Sequence, residues 1–342
     1  MLKTARLRAE DAADVQRAAE MLREGRLVAF ATETVYGLGA NALSADAVAR
    51  VFEAKQRPSW DPLIVHVAGV EDIARVAVVD GELKDRVERL ARAFWPGPLT
   101  LLLPKAAAIP ASVTAGRQLV GVRVPGHPAA QALLRAAGVP VAAPSANRFG
   151  HTSPTTAEHV LADLDGKIDA VLDAGPTTVG VESTVVDATQ TPMVLYRPGA
   201  VTAEQLRQAS GVQVDVFAPV NDQRTPQSLP SPGVGIRHYA PRAKVVLVPS
   251  TDFISLAKAG ARQQALGSTV AFLLPSGWPS PVSGAFVFNW GEWGDPAALA
   301  RNLFAGLREL DATGAETILV PLPPPGELYD AIRDRLMKAA RE

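Results

Sequence analysis

The chain has 342 residues, 47% of them hydrophobic and 20% charged, with a formal net charge of -1 and no cysteine. At roughly 100–200 residues per domain, that length predicts two domains, each apolar enough to build a core rather than stay disordered. The near-neutral charge argues against a non-specific nucleic-acid binder, and the lack of cysteine excludes disulfides, thiol catalysis and cysteine-ligated metal.

The predicted elements run in chain order as follows. Met1 to Arg6 carries no apolar signal core, and no apolar run approaches the ~20 residues that span a bilayer, which predicts a soluble, cytosolic protein. A helix is expected over 11–24, stopping at Gly25, then a short apolar strand over 27–31. Ser44 caps a helix to about Gln56, ended by Pro58. Strands are expected at 63–67, 99–103, 119–124 and 139–143, with helices at 84–94 and 128–137. A helix over 155–164 has two candidate starts: Ser153 ahead of Pro154, or the capping box from Thr155 to Glu158. Strands return at 169–173, 182–187 and 193–197. Thr202 opens a further helix with Gln205 at the capping-box position. Residues 212–243 hold Pro219, Pro226, Pro230, Pro232 and Pro241 and read as an extended linker. Strands at 244–248, 269–274, 285–289 and 317–321 then alternate with helices at 252–265, 296–310 and 327–340, the pattern of a small, mostly parallel α/β domain.

No Walker P-loop is present, so an ATP site would be of another type. Gly37-Leu-Gly39-Ala-Asn-Ala42 matches the dinucleotide fingerprint formally, but the helix opens only at Ser44, and the glycines are read as a turn. Lys55-Gln-Arg57-Pro-Ser59 ends a helix. Its basic residues suit a helix C-terminus, and equally a clamp of two cations and a hydroxyl on a polyphosphate. His66 shares a strand face with Ile64, where it is either a satisfied structural residue or a ligand contact. Arg123 ends an apolar strand and needs a partner, either a substrate carboxylate or an internal acid. Ala143-Pro-Ser145-Ala-Asn147 is small and polar after an apolar strand, which fits a tight turn or close approach of a ligand to backbone. Glu182-Ser183-Thr184 and Tyr196-Arg197-Pro-Gly199 extend the pattern: each expected strand end carries a hydroxyl, an amide or a cation. No metal-ligand cluster appears. The physical profile is anion recognition, which suits phosphoryl or nucleotidyl transfer.

Eight segments in one order resemble the YrdC family: 32–38, 55–58, 62–66, 95–100, 122–125, 143–147, 182–185 and 197–199. The stretch from Ser231 to Pro241, with His238-Tyr239, and the ending from Ala331 to Leu336 are similar to the longer, two-domain members, the threonylcarbamoyl-AMP synthases of the Sua type. The resemblance implies an α/β fold: a twisted mixed-sheet YrdC-like catalytic domain over 8–205, a Pro-rich linker over 206–243 folding over the active site, and a smaller Rossmann-like domain over 244–342. It implies a nucleotidyltransferase that turns ATP, L-threonine and bicarbonate into threonylcarbamoyl-AMP and pyrophosphate, the first step of threonylcarbamoyl-adenosine modification beside the tRNA anticodon. Magnesium is expected only with the nucleotide. Separate proteins then pass the group to tRNA, with direct tRNA binding weak or absent. By motif position, the threonine pocket is Thr32, His66, Arg123, Ala143 and Ser183. Lys55 and Arg57 are the catalytic cations and, with Ser59, the phosphate contacts. Thr114, Ser145, Asn147, Ser153, Arg197, His238 and Tyr239 complete the nucleotide site. Two other readings are an RNA-binding module and a carbamoyl-transfer domain like that of hydrogenase maturation factors. The neutral charge weighs against the first and the absence of cysteine against the second.

Overall fold

The computed structural model describes residues 3–218, 238–248 and 253–341. Two compact units emerge, and the second also takes in residues 150–153 and 179–181.

The first unit carries an 11-stranded mixed sheet. In chain order its elements are β1 (Ala5–Arg8), α1 (Ala12–Arg23), β2 (Val28–Ala31), β3 (Tyr36–Asn41), α2 (Ala45–Lys55), β4 (Ile64–His66), α3 (Gly81–Phe94), β5 (Leu99–Pro104), β6 (Leu119–Arg123), α4 (Pro128–Ala137), β7 (Val141–Ala142), α5 (Ala157–Leu164), β8 (Ala170–Asp173), β9 (Thr184–Asp187), β10 (Met193–Arg197), α6 (Ala203–Ser210) and β11 (Val214–Val216). The spatial order is β1-β8-β2-β3-β7-β4-β6-β5-β9-β10-β11. Parallel pairs such as β4–β6 and β5–β9 alternate with antiparallel pairs such as β2–β3 and β5–β6.

Strand alternation sends successive side chains to opposite faces. One face gives Ala29, Leu38, Val65, Leu101 and Val122 to the main core, with α2, α3, α5 and α6 packed on it. The other face gives Val28, Phe30, Val141 and Ala143 to a second core under α1 and α4. Further along that second face lies a small apolar cluster of Ile64, Leu102 and Val185, with Leu119 and Tyr196 against it. This region, next to the helix-covered half of the face, is where the polar strand residues gather.

Most expected helices form with the expected caps. Ser44 accepts from the Ala47 amide, and Thr202 with Gln205 makes a complete capping box. The helix near 157 starts at neither expected cap. Thr156 caps it, its hydroxyl accepting from His159 N, while Thr155 bonds the His159 ring. The glycine run is a strand, not a turn. A Cβ on Gly39 would stand 2.9 Å from Val141 and 3.1 Å from the Val28 carbonyl, so the glycines let β3 lie close to its neighbours. The chain from 206 to 216 is not linker: α6 continues to Ser210, and β11 pairs in parallel with β10. The linker residues 219–237, expected to fold over the site, lie outside the described residues.

The second unit has β12 (Lys244–Val248), α7 (Phe253–Ala265), β13 (Val270–Pro275), β14 (Phe286–Gly291), α8 (Pro296–Ala312), β15 (Thr317–Pro321) and α9 (Glu327–Ala339). Its four strands are all parallel, in the order β12-β15-β13-β14. The leucine stripe of α8, Leu299, Leu303, Leu307 and Leu310, is fully buried as its spacing predicts.

A candidate anion-binding active site

Arg123 closes β6 and is registered beside His66 of the parallel strand β4. Two residues earlier on β6, a Cβ on Gly121 would stand 3.3 Å from Thr100 of β5 and 3.4 Å from Ile64 of β4. Hence His66, Arg123 and Thr100 share the sparsely covered half of the second face. The Arg123 guanidinium donates three bonds: Nε to Gly97 O at 3.2 Å, Nη1 to Thr34 Oγ1 at 2.9 Å, and Nη2 to Glu33 Oε1 at 2.6 Å. Arginine carries five N–H donors. These bonds therefore leave one N–H on each terminal nitrogen for a further acceptor. Thr34 Oγ1 lies 2.8 Å from Thr32 Oγ1, whose hydroxyl also bonds Val35 O. Thr32 thus joins Arg123 through Thr34.

The internal acid that the sequence left open for Arg123 is Glu33. Burial raises its carboxyl, but the charge and hydrogen bond of Arg123 outweigh burial and hold it below the ordinary range. Desolvation, with Arg123 second, lowers His66 to about 3, so the ring is neutral at physiological pH. Its Nδ1 is buried without a hydrogen-bond partner, and the ring meets Phe30 edge-on. Ala143 N donates to Ile64 O at 2.9 Å, placing this backbone beside β4. Ser183 Oγ lies 2.8 Å from Thr100 Oγ1 and accepts from Arg197 Nη2 at 3.1 Å, while Arg197 Nε bonds Ser183 O. A Cβ at Gly199 would stand 2.4 Å from Thr184 N, which explains the glycine after Arg197-Pro198.

The second group gathers around Lys55, at the last turn of α2. Its ammonium donates to Ser145 O at 2.5 Å and to Asn147 O, and Phe149 N returns a bond to Lys55 O at 3.0 Å. The small-residue loop is therefore laced to the helix end. Lys55 is 1% exposed, and burial, then the neighbouring Arg57 charge, press its pKa well below the lysine range. These two bonds of the buried cation go to carbonyl dipoles, and one of its three N–H donors remains.

Arg57 is placed differently from a bare phosphate clamp. It pairs with Asp61 at 2.9 Å, bonds the Asp61 and Pro62 carbonyls, and lies over the Phe149 ring at 5.9 Å. Ser59 is exposed beside it. The Thr114 hydroxyl donates within its own turn, to Arg117 O at 2.8 Å, and Val113 O receives Leu63 N at the entrance to β4.

Ser153, His238 and Tyr239 belong to the second unit. There His238 N donates to Lys338 O, and Tyr239 packs against Phe304 and over Arg335. Sequence reasoning did not single out Glu33, Thr34, Thr100 or Asp61. Three of them lie inside the eight segments, and Asp61 stands four residues after Arg57, a spacing that brings it within reach of that cation.

No helix among the described residues is long and apolar enough to cross a membrane, and no group of three or more His, Asp or Glu residues among them is placed to hold a metal.

Comparisons with known proteins fit this geometry. A family model described as "Telomere recombination" matches residues 20–199, and one described as "Threonylcarbamoyl-AMP synthase, C-terminal domain" matches residues 201–341. The threonylcarbamoyl-AMP synthase of Pyrococcus abyssi is 42% identical over 330 residues, covering 94% of this chain and 93% of the relative. That of Bacillus subtilis is 42% identical over 327 residues, covering 95% and 92%. A crystal structure of P. abyssi Sua5 complexed with L-threonine superposes with a TM-score of 0.89 at 40% identity, covering 98% of this chain and 97% of that one. E. coli YciO, at 22% identity and a TM-score of 0.51, shares the fold over 60% of the chain.

Proposed function

The chain belongs to the two-domain threonylcarbamoyl-AMP synthase family, and we propose that it is an enzyme making threonylcarbamoyl-AMP and pyrophosphate from ATP, L-threonine and bicarbonate, the first step of threonylcarbamoyl-adenosine modification of tRNA. The observation that carries the reading is one pair of buried cations in the first unit. Arg123 keeps an N–H on each terminal nitrogen, a fork suited to a carboxylate, and Lys55 is a desolvated point charge suited to a phosphate.

In this reading Arg123 takes the threonine carboxylate, with Thr32, Ser183 and the backbone at Ala143 around it. Neutral His66 accepts or donates a hydrogen bond without adding charge. The threonine amine takes up CO2 derived from bicarbonate, and the carbamate oxygen attacks the α-phosphorus of ATP as pyrophosphate leaves. Such a nucleotidyl transfer depends on positioning and on stabilising the charge that develops on the phosphoryl oxygens. Lys55 supplies that charge directly. Arg57, fixed by Asp61, adds to the local positive field, and Ser59 offers a hydroxyl beside it. Ser145, Asn147, Thr114 and Arg197 are read as nucleotide contacts of the first unit. Magnesium rides on the triphosphate and neutralises part of its charge, since Lys55, Arg57 and Ser59 are donors suited to phosphate oxygens rather than to a cation. Separate transfer proteins then accept the adenylate in the cytoplasm, and the near-neutral chain makes little direct contact with tRNA.

The test is pyrophosphate release from ATP by the purified full chain. Release requiring both L-threonine and bicarbonate is the expected result. Release indifferent to either one, or none at all, overturns the reading.

A further inference from the structure

Glu33 does more than a structural partner of Arg123 needs to do. Its carboxylate takes one bond on each oxygen, from Arg123 Nη2 at 2.6 Å and from Gly126 N at 3.0 Å. A carboxylate has roughly four acceptor positions, so capacity remains on both oxygens. Its exposure also differs from that of the other buried acid. The Asp61 side chain, sealed under Arg57, is 0% exposed, whereas that of Glu33 keeps 12% beside an Arg123 side chain that is 4% exposed. The pair therefore opens towards solvent on the acid's side.

Charge balance decides what such an opening accepts. Arg123 and Glu33 together are neutral. A ligand bearing only a carboxylate would leave an uncompensated negative charge close to Glu33 in a poorly solvated site, and one bearing only an ammonium would leave a positive one. A ligand carrying both charges on one carbon keeps the site neutral, with its carboxylate on the free N–H donors of Arg123 and its ammonium on Glu33. We propose that Glu33 anchors the α-ammonium of the amino-acid substrate, so that Glu33 and Arg123 together read a zwitterion rather than a carboxylate alone. This rests on the assignment of Arg123 to the threonine carboxylate made above.

The experiment is calorimetric titration of the full chain with three ligands: L-threonine, threoninol (amine without carboxylate) and 2,3-dihydroxybutanoate (carboxylate without amine). The wild type should prefer threonine to dihydroxybutanoate by roughly ten- to hundredfold, the range for one hydrogen bond to a charged group. Glu33→Gln should weaken threonine by a similar factor while leaving dihydroxybutanoate unchanged or tighter. Glu33→Asp, which keeps the charge, should restore part of the preference, and thermal unfolding checks that both variants fold. If Glu33→Gln weakens threonine and dihydroxybutanoate by the same factor, Glu33 acts only through Arg123 and the proposal fails. Should the variants not fold, the wild-type series still decides, because equal affinity for threonine and dihydroxybutanoate overturns the proposal. Failure of the functional reading itself looks different: the wild type would then bind none of the three.

Discussion

Arg57 and Asp61 form an ion pair at 2.9 Å just beyond the end of α2, with side chains only 3% and 0% exposed. A pair this buried is informative when one partner is removed. Asp61→Ala takes the carboxylate away from a buried guanidinium, and breaking a buried pair in this way costs about 3–5 kcal/mol. Urea denaturation should show a loss of that order. A change below about 1 kcal/mol, the size typical of surface pairs, would mean that the pair is solvated and Arg57 is free to swing towards a ligand.

Lys55 links two elements as well as offering a charge. Lys55→Met keeps the apolar stem but removes the bonds to the Ser145 and Asn147 carbonyls. Pyrophosphate release should fall roughly 10²–10³-fold, the size seen when one preorganised donor to a developing charge is removed. Lys55→Arg should not rescue it, because a planar fork does not fit a site that is 1% exposed. A variant with full turnover would remove Lys55 from the chemistry. Steady-state release of pyrophosphate at saturating threonine and bicarbonate is the measurement.

Much of this site was legible in the sequence because strand ends announce themselves. The apolar runs closing on Arg123 and His66 mark polar groups at strand ends, and these two residues end β6 and β4, whereas Ser183 stands just before β9. The second unit was legible too, since Leu299, Leu303, Leu307 and Leu310 repeat with helical spacing. What the sequence hid was pairing. β3 carries glycines that local rules read as a turn, and only the closeness of Val141 and Phe30 makes them strand residues. β11 is three half-exposed or exposed residues whose strand character comes from β10 beside it. Glu33 as the acid on Arg123 depends on a contact 90 residues away in the chain, which no local pattern encodes.

His66 makes stability depend on pH. Its folded pKa lies at about 3 against an ordinary 6.5, with desolvation the leading cause. Below pH 6.5 the unfolded chain takes up the proton first. The stability held by the neutral ring is therefore complete above about pH 6.5 and is lost as pH falls towards 3, at up to about 1.4 kcal/mol per pH unit. His66→Gln lacks this proton. The unfolding free energies of wild type and variant, measured between pH 7 and pH 4, should converge as pH falls. A constant difference across that range would show that the imidazole takes up its proton in the fold as readily as in the unfolded chain.

Gly199 tests whether the close backbone approach at the end of β10 supports the site. A Cβ there would meet Thr184 N at 2.4 Å, Thr184 Oγ1 at 2.7 Å and Glu182 O at 2.8 Å. Two of those three atoms are backbone, so no rotamer change relieves the contact and the start of β9 must shift. Overpacking of this kind costs about 1–3 kcal/mol. The shift falls next to Ser183, whose hydroxyl meets Thr100 and Arg197. Gly199→Ala should therefore lose both unfolding free energy and threonine affinity. Gly294→Ala is the control, because a Cβ there meets nothing within 4 Å. Calorimetric threonine titration and urea denaturation of both variants separate the outcomes. Loss of stability alone would confine Gly199 to packing, and behaviour matching Gly294→Ala would mean that β9 and β10 have room to part without disturbing Ser183.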